Sequence, residues 1–178
     1  MVYFENALLI LNDEFENQVD LSACLNNIAV IFRELGHFDK AILFFEKALS
    51  IDLALNDKEG IVIDLNNLGS TYLRKSKNYK DYVDLSVSLD FYLRSLELVQ
   101  DRKDRVLLIN TLNNIGIVYE ALGKHSLSLL YFQSAIKEAK QTGYDYEMCN
   151  INSNIGFVML HLNPSLTRIG TFQIHIKP

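Results

Sequence analysis

A short cluster containing two asparagines recurs along this chain and constrains its fold more than any other feature. The copies read LNNIAVIF, LNNLGSTY and LNNIGIVY, with a degenerate fourth, NSNIGFVM, and they begin at Leu25, Leu65, Leu112 and Asn152. The small residues within the copies are 40, 47 and 40 residues apart, at Ala29, Gly69, Gly116 and Gly156. Periods of this length are typical of repeat arrays, in which each unit is one supersecondary structure.

The first three copies continue in the same way, with an aromatic residue, a turn and a second segment that carries a small, an aromatic and a small residue. These second segments contain Ala41, Phe45 and Ala48, then Ser88, Tyr92 and Ser95, then Ser128, Phe132 and Ala135. Spacings of three and four residues place such side chains on one helix face. Gly36 and Gly123 suit the tight turn after a first helix. The pattern predicts helical hairpins, which need neighbours to bury both of their faces.

This hairpin resembles the tetratricopeptide repeat, whose first helix carries large, large, small and aromatic positions. The matching residues are Leu25, Ile28, Ala29 and Phe32; Leu65, Leu68, Gly69 and Tyr72; and Leu112, Ile115, Gly116 and Tyr119. The forty-residue unit with its asparagine doublet is most similar to kinesin light chain and bacterial peptide-sensor arrays. The resemblance implies an all-α fold, a right-handed superhelical solenoid of antiparallel helix hairpins.

The repeats predict three complete hairpins with an incomplete one at each end. The expected boundaries are a second helix at 1–17, repeats at 18–57, 58–101 and 102–143, a first helix at 144–162, and an irregular tail at 163–178. Within the second repeat, residues 75–85 form an insertion that predicts a protruding loop or an extended helix end, since loops tolerate added length. The tail begins near the helix-breaking Pro164 and then alternates apolar and polar residues. A disordered tail, a pairing strand and a segment unrelated to the array all remain open.

The resemblance also implies that first helices line a concave groove, into which the residues before the large-small pair face. The second asparagines would form a row at Asn27, Asn67, Asn114 and Asn154, with Asn26, Asn66 and Asn113 beside it. Other expected lining residues are Ser70, Arg74, Ile117, Arg33, Glu34 and Leu73. An amide donates and accepts at once, so it matches the backbone of an extended peptide. The alternative is that these amides bond to neighbouring helices.

The expected function is therefore non-catalytic binding of a protein or an extended peptide segment, as a scaffold module. The positions before the small residues offer no lysine or arginine, which argues against capture of a C-terminal carboxylate. Two alternatives stay open. The chain could be the sensor part of a larger signalling protein of the response-regulator phosphatase or transcription-regulator type, or a homodimer that stacks through its unpaired end helices.

Composition narrows the remaining classes. A net charge of −5 and a pI near 5.3 disfavour binding to nucleic acid or to an anionic membrane. No apolar run reaches the length of a membrane span, so a cytoplasmic protein is expected. Cys24 and Cys149 lie far apart without metal-ligand spacing and are expected to be buried. The four histidines form no recognisable catalytic arrangement, and we expect neither enzymatic activity, nor a cofactor, nor a metal.

Overall fold

The computed structural model describes residues 18–79, 81–99 and 105–162, and within these ranges all regular structure is α-helical. The helices are α1 (Gln18–Glu34), α2 (Phe38–Leu55), α3 (Lys58–Tyr79), α4 (Tyr82–Val99), α5 (Arg105–Ala121), α6 (His125–Thr142) and α7 (Asp145–Leu162). The chain divides into two compact units, residues 1–103 and 104–178. The predicted half-repeat at 1–17 and the tail at 163–178 lie outside the described residues.

The first unit contains two hairpins, α1 with α2 and α3 with α4, and α2 also packs against α3. Gly36 closes the first turn with a φ of 77°, in the left-handed region that side chains disfavour. The N–H of His37 donates to the carbonyl of Phe32, which ends α1. The core is apolar and continuous between the hairpins, from Leu25 and Phe45 to Leu68. Burying this shared core is what makes one hairpin depend on the next.

The hairpins α3–α4 and α5–α6 are each closed by an aromatic ring on the second helix that lies against the small residue of the first helix. The ring of Tyr92 packs on Gly69, where an added Cβ would lie 2.9 Å from the ring. The ring of Phe132 packs on Gly116 in the same way, at 2.5 Å from such a Cβ. Both rings are almost fully buried. The predicted pattern of small and aromatic residues is therefore the packing surface of the hairpin.

The second unit consists of the hairpin α5 and α6 and the single helix α7, which packs against both. Gly123 and Gly143 close its two turns with φ values of 71° and 73°. Gly156 on α7 corresponds to Gly116, but none of the described residues has an atom within 4 Å of its Cβ position. The same sequence position is thus crowded in α5 and open in α7.

The insertion of the second repeat is absorbed mainly by a longer helix. α3 has 22 residues, whereas α1 and α5 have 17 each, and α4 begins three residues after α3 ends. Residue 80 lies outside the described residues. The extra length therefore adds more than a helical turn to α3, because a turn takes about 3.6 residues.

Two expectations about individual side chains are wrong. Cys149 is exposed, because α7 packs on one side only within the described residues, and Cys24 on α1 is half-buried. Leu73 is buried and does not line an open surface. Arg33 at the equivalent position of α1 has only 12% of its side chain exposed, so this position faces the packed interior. The all-α fold of antiparallel helical hairpins is confirmed.

The two glycines of the second unit give a matched test of the ring packing. We expect Gly116→Ala to lower the free energy of unfolding by about 1–3 kcal/mol, since the buried ring of Phe132 must move. Gly156→Ala should raise it by about 0.5–1 kcal/mol, because alanine favours the helix and meets open space. Urea denaturation of both variants measures the difference. Equal effects of the two substitutions would contradict this packing.

Candidate functional site

The asparagine doublets lie where the first helices of successive hairpins meet. In the first unit, Nδ2 of Asn67 on α3 donates to Oδ1 of Asn26 on α1 at 3.3 Å. In the second unit, Nδ2 of Asn154 on α7 donates to Oδ1 of Asn113 on α5 at 2.9 Å. The second asparagine of one copy therefore bonds to the first asparagine of the preceding copy. This hydrogen bond repeats with the same polarity in both units.

In the first unit this bond belongs to a longer run of hydrogen bonds, which we call the polar chain. A guanidinium N–H of Arg33 donates to Oδ1 of Asn67 at 3.3 Å, Asn67 donates to Asn26, and Asn26 donates to Oδ1 of Asp64. Arginine can only donate and a carboxylate oxygen accepts, so the two ends fix the orientation of both amides. Asn67 and Asn26 thus use their amides inside the scaffold.

The polar chain ends at two buried carboxyl groups. Asp64 on α3 is fully buried and Asp52 on α2 is 3% exposed. The two carboxyls interact directly, and within the described residues neither acid forms an ion pair. Oδ2 of Asp64 receives no hydrogen bond from any described residue. Buried carboxylates are costly unless they are paired or neutralised, so this pair has to hold a proton.

Burial raises the pKa of Asp64 to about 8. The hydrogen bond from Asn26 acts in the opposite direction, and the nearby carboxyls of Asp52 and Asp57 add to the increase. Asp64 is therefore mainly protonated at neutral pH, and a proton on its Oδ2 can be donated to Asp52. The desolvated neutral acid is the form that the fold favours.

Sequence reasoning missed this pair, although the repeat alignment contains its signal. Relative to the asparagine doublets, Asp64 occupies the position held by Cys24, Thr111 and Ile151 in the other copies. Asp52 occupies the position held by Val99 and Ala139 in the other second helices. Four of these five residues are buried and Cys24 is half-buried. Two acids therefore replace core residues at a single junction between hairpins.

A cavity of about 360 Å³ opens beside the acid pair. Residues of α1, α2, α3 and the turn between α2 and α3 surround it, and they are Val19, Ser22, Ala23, Asn26, Asn27, Asp52, Asp57, Glu59, Gly60 and Ile63. Gly60 has no side chain at the place where the carboxyl of Asp52 lies, and a Cβ there would collide with Oδ2 of Asp52. The charged groups of this lining are all acidic.

The opposite end of α1 and α3 is mainly basic. A second cavity of about 290 Å³ is lined by Arg33, Glu34, Gly36, Phe38, Arg74 and Lys77. The predicted site residue Arg74 is about half exposed and forms a 2.7 Å ion pair with Glu34. Burial, followed by the charge of Arg74, lowers the pKa of the Arg33 guanidinium from its ordinary value. The first unit thus presents opposite charges at the two ends of its first helices.

The other predicted site residues divide into engaged and available groups. Asn66 donates to the carbonyl of Val62 and to Oγ of Ser95 at 2.9 and 2.7 Å, and Ser70 is hydrogen-bonded to the buried Tyr92. Within the described residues no side-chain hydrogen bond is formed by Asn27, which is exposed, or by Asn114, which is half-buried. Ile117 is half-buried on α5. The available amides are therefore the second asparagines of the first doublet in each unit.

Comparison with known proteins agrees with this architecture. The family model described as "Tetratricopeptide repeat" matches residues 2–54. Tetratricopeptide repeat protein 29 of Trypanosoma brucei brucei is 27% identical over 129 residues, which cover 72% of this chain and 26% of the relative. The chain thus spans about a quarter of the length of this relative.

A solved structure, the N-terminal domain of stress-induced protein-1 (STI-1) from C. elegans, has the same fold. It superposes with a TM-score of 0.59 at 15% identity, covering 79% of this chain and 98% of that domain. The chain resembles tetratricopeptide repeat proteins in residues 2–54 and in its all-α fold of helical hairpins. Proteins built from these repeats generally act as protein-interaction scaffolds.

Among the described helices, none combines the length and the apolar composition of a membrane span. In the same ranges, no group of three or more histidine, cysteine, aspartate and glutamate side chains is arranged to hold a metal ion.

The roles of the two asparagines in the first doublet can be separated by stability. Asn26→Ala should lower the free energy of unfolding by about 1–3 kcal/mol, because Asp64 and Asn67 each lose a partner. Asn27→Ala is the matched control and should change it by less than about 0.5 kcal/mol, since this exposed side chain has no partner to lose. Urea denaturation compares the two. A loss of the same size in both would show that the polar chain does not stabilise the fold.

The acid pair predicts a specific pH dependence of stability. The pKa of Asp64 is about 8 in the folded protein and about 3.9 in an unfolded chain, so the folded state binds more protons between these values. The stabilisation is complete below about pH 4 and is lost as pH rises through 8, at up to about 1.4 kcal/mol per pH unit. Asp64→Asn, which resembles the neutral acid, should flatten this fall.

Denaturation at pH 5 and pH 8.5, at constant ionic strength, measures the fall. Asp90→Asn is the control, because Asp90 is an exposed acid on α4. If wild-type protein and Asp64→Asn lost equal stability between the two pH values, the assignment of the proton to Asp64 would be wrong.

Proposed function

We propose that the chain binds an extended segment of a partner protein on the exposed face of its first helices. In the first unit this face belongs to α1 and α3, and in the second unit it belongs to α5 and α7. The observation that carries the proposal is that some asparagine side chains hydrogen-bond to the neighbouring helix and others do not. In each unit one hydrogen bond joins neighbouring first helices, while Asn27 or Asn114 has no hydrogen-bond partner among the described residues.

An unused amide on a helix face suits a peptide backbone. It can accept from an N–H and donate to a carbonyl of an extended chain without reading the side chains of the segment. Each such hydrogen bond contributes about 0.5–1.5 kcal/mol, so two amides support only weak binding. Contacts with the side chains of the segment have to supply the remaining affinity. In the first unit, the acidic cavity, which Asn27 itself lines, and the basic cavity lie toward opposite ends of α1 and could supply such contacts.

The position of these amides also supports a scaffold function. Asn27 and Asn114 occupy the same repeat position on helices that pack, in each unit, beside the next first helix. The neighbouring amide pair holds the two helices together, and the available amide lies next to it in the chain. A surface of this kind can position an extended ligand, which supports binding as the function.

Self-association is a second possibility that one observation favours. α7 exposes the large apolar side chains of Phe157, Met159, Leu160 and Leu162, and Phe157 is 53% exposed. The role of the matching N-terminal segment, with Phe4, Leu8, Leu9 and Leu11, lies outside the described residues. A homodimer through the end helices and a cytoplasmic location remain predictions, and so does a sensor role in a larger signalling protein.

A peptide library tests the proposed binding. Segments selected by the wild-type chain should bind the Asn27→Ala, Asn114→Ala double variant about two- to tenfold more weakly, as expected for the loss of one hydrogen bond, worth about 0.5–1.5 kcal/mol, in the unit that they contact. Asn152→Ala is the control, because Asn152 is exposed and lies about 200° around α7 from Asn154. Fluorescence anisotropy gives the affinities.

Circular dichroism of all variants establishes that they fold alike. Sedimentation equilibrium over the same concentrations separates a binding monomer from a dimer. Unchanged affinity in the double variant would show that these amides are not the contact surface.

A further inference from the structure

The acid pair is an unusual feature of the first junction between hairpins. The equivalent positions in the other copies hold a buried valine, alanine, threonine and isoleucine and the half-buried Cys24. A scaffold that needed only packing would keep such residues here, because replacing buried polar groups by apolar ones is often neutral or stabilising. The acids at this junction therefore need an explanation other than core packing.

The cavity beside the acids supplies a second and separate observation. Asp52 is 3% exposed and lines the cavity, and its carboxyl interacts with that of Asp64 behind it. Gly60 leaves room for its carboxyl, since any side chain there would collide with Oδ2. The cavity volume of about 360 Å³ lies at the small end of the range for ligand pockets. It fits a single side chain better than a larger molecule.

The charges around the cavity identify the kind of group that would enter it. α2 contributes Asp52, the turn contributes Asp57, and α3 contributes Glu59 at the rim and Asp64 behind. α1 contributes no titratable group to the lining. Its polar groups there are the amides of Asn26 and Asn27 and the hydroxyl of Ser22. A cationic group that entered would gain the carboxylate of Asp52 and acceptor oxygens of the amides.

We propose that this cavity binds the charged end of one lysine or arginine side chain of the partner segment. The proposal rests on the binding function above for the source of the side chain, and it adds a specificity to it. The cation neutralises Asp52 from the cavity side and takes the place that the shared proton holds in the free protein. The segment would then run from this cavity along the face of α1 that carries Asn27.

Small-molecule probes test the cavity without any knowledge of the partner. N-acetyl-lysine methylamide should cause saturable NMR shifts of the Gly60 amide and of the side-chain amides of Asn26 and Asn27. N-acetyl-norleucine methylamide, which has the same apolar stem without the ammonium group, should cause none. Equal shifts with both probes, or none with the lysine probe, would overturn the proposal.

Matched variants locate the charge that is recognised. Asp52→Asn should weaken binding of the lysine probe at least tenfold, and Asp90→Asn, which removes an equal charge from α4, should leave it unchanged. Asp57→Asn, at the rim of the cavity, should weaken binding of the lysine probe about threefold. If Asp52→Asn does not fold, Asp57→Asn still tests whether the charge of the cavity is recognised. Equal affinity of the cavity variants and Asp90→Asn would show that only the general negative charge of the protein attracts the probe.

The pH dependence provides an independent signature. A bound cation favours the ionised acid pair, so binding should release a proton and should be several-fold tighter at pH 8.5 than at pH 6.5. Attraction to exposed carboxylates, which are ionised at both pH values, would give no such change. A pH-independent affinity would therefore count against a site at the acid pair.

The library of segments separates this proposal from the binding function. Selected segments should lose at least tenfold in affinity when their lysine or arginine is replaced by norleucine. Segments that bind but tolerate this replacement would overturn the cation site as a partner contact and leave the binding function intact. A lysine probe that binds when no segment does would support the cation site and contradict the binding function.

Discussion

The contact between an aromatic ring of a second helix and the small residue of its first helix is the interaction on which the rest of the structure depends. Tyr92 on Gly69 and Phe132 on Gly116 bring the two backbones of a hairpin close together and exclude water from the contact. This fixes how far each first helix is from its partner. The asparagines two and three residues before the small residue are thereby placed beside those of the next first helix, where an amide pair can form.

The asparagine doublets show how a repeated motif divides its functions. One asparagine of a doublet forms the hydrogen bond between neighbouring first helices. In the first unit the two bonded amides, of Asn26 and Asn67, are oriented by Arg33 at one end and by Asp64 at the other. An amide held in this way loses its freedom to adapt to a ligand. Its neighbour in the chain points to a different side of the helix, since adjacent residues are about 100° apart. The first doublet of each unit therefore supplies both a structural and an available polar group.

The helical hairpins could be predicted from the sequence because their signals are local. The spacing of small and aromatic residues, together with Gly36 and Gly123 in two of the hairpin turns, determines a hairpin without reference to its neighbours. The partners of the asparagines could not be predicted, because they depend on the offset between two hairpins. Asn26 and Asn67 are 41 residues apart and meet only through the packing between them. The acid pair was missed for the same reason, although each acid stands out when the copies are aligned.

The acid pair distinguishes the junction between the first two hairpins from the other junctions of the described chain. Asp52 belongs to the second helix of one hairpin and Asp64 to the first helix of the next, so neither hairpin contains the pair. If the hairpins were exchanged in order, each acid would face a valine, a threonine, an alanine or an isoleucine at the corresponding position. Tetratricopeptide hairpins look like interchangeable modules, but in this chain the order of the modules is encoded in the charges at their boundary.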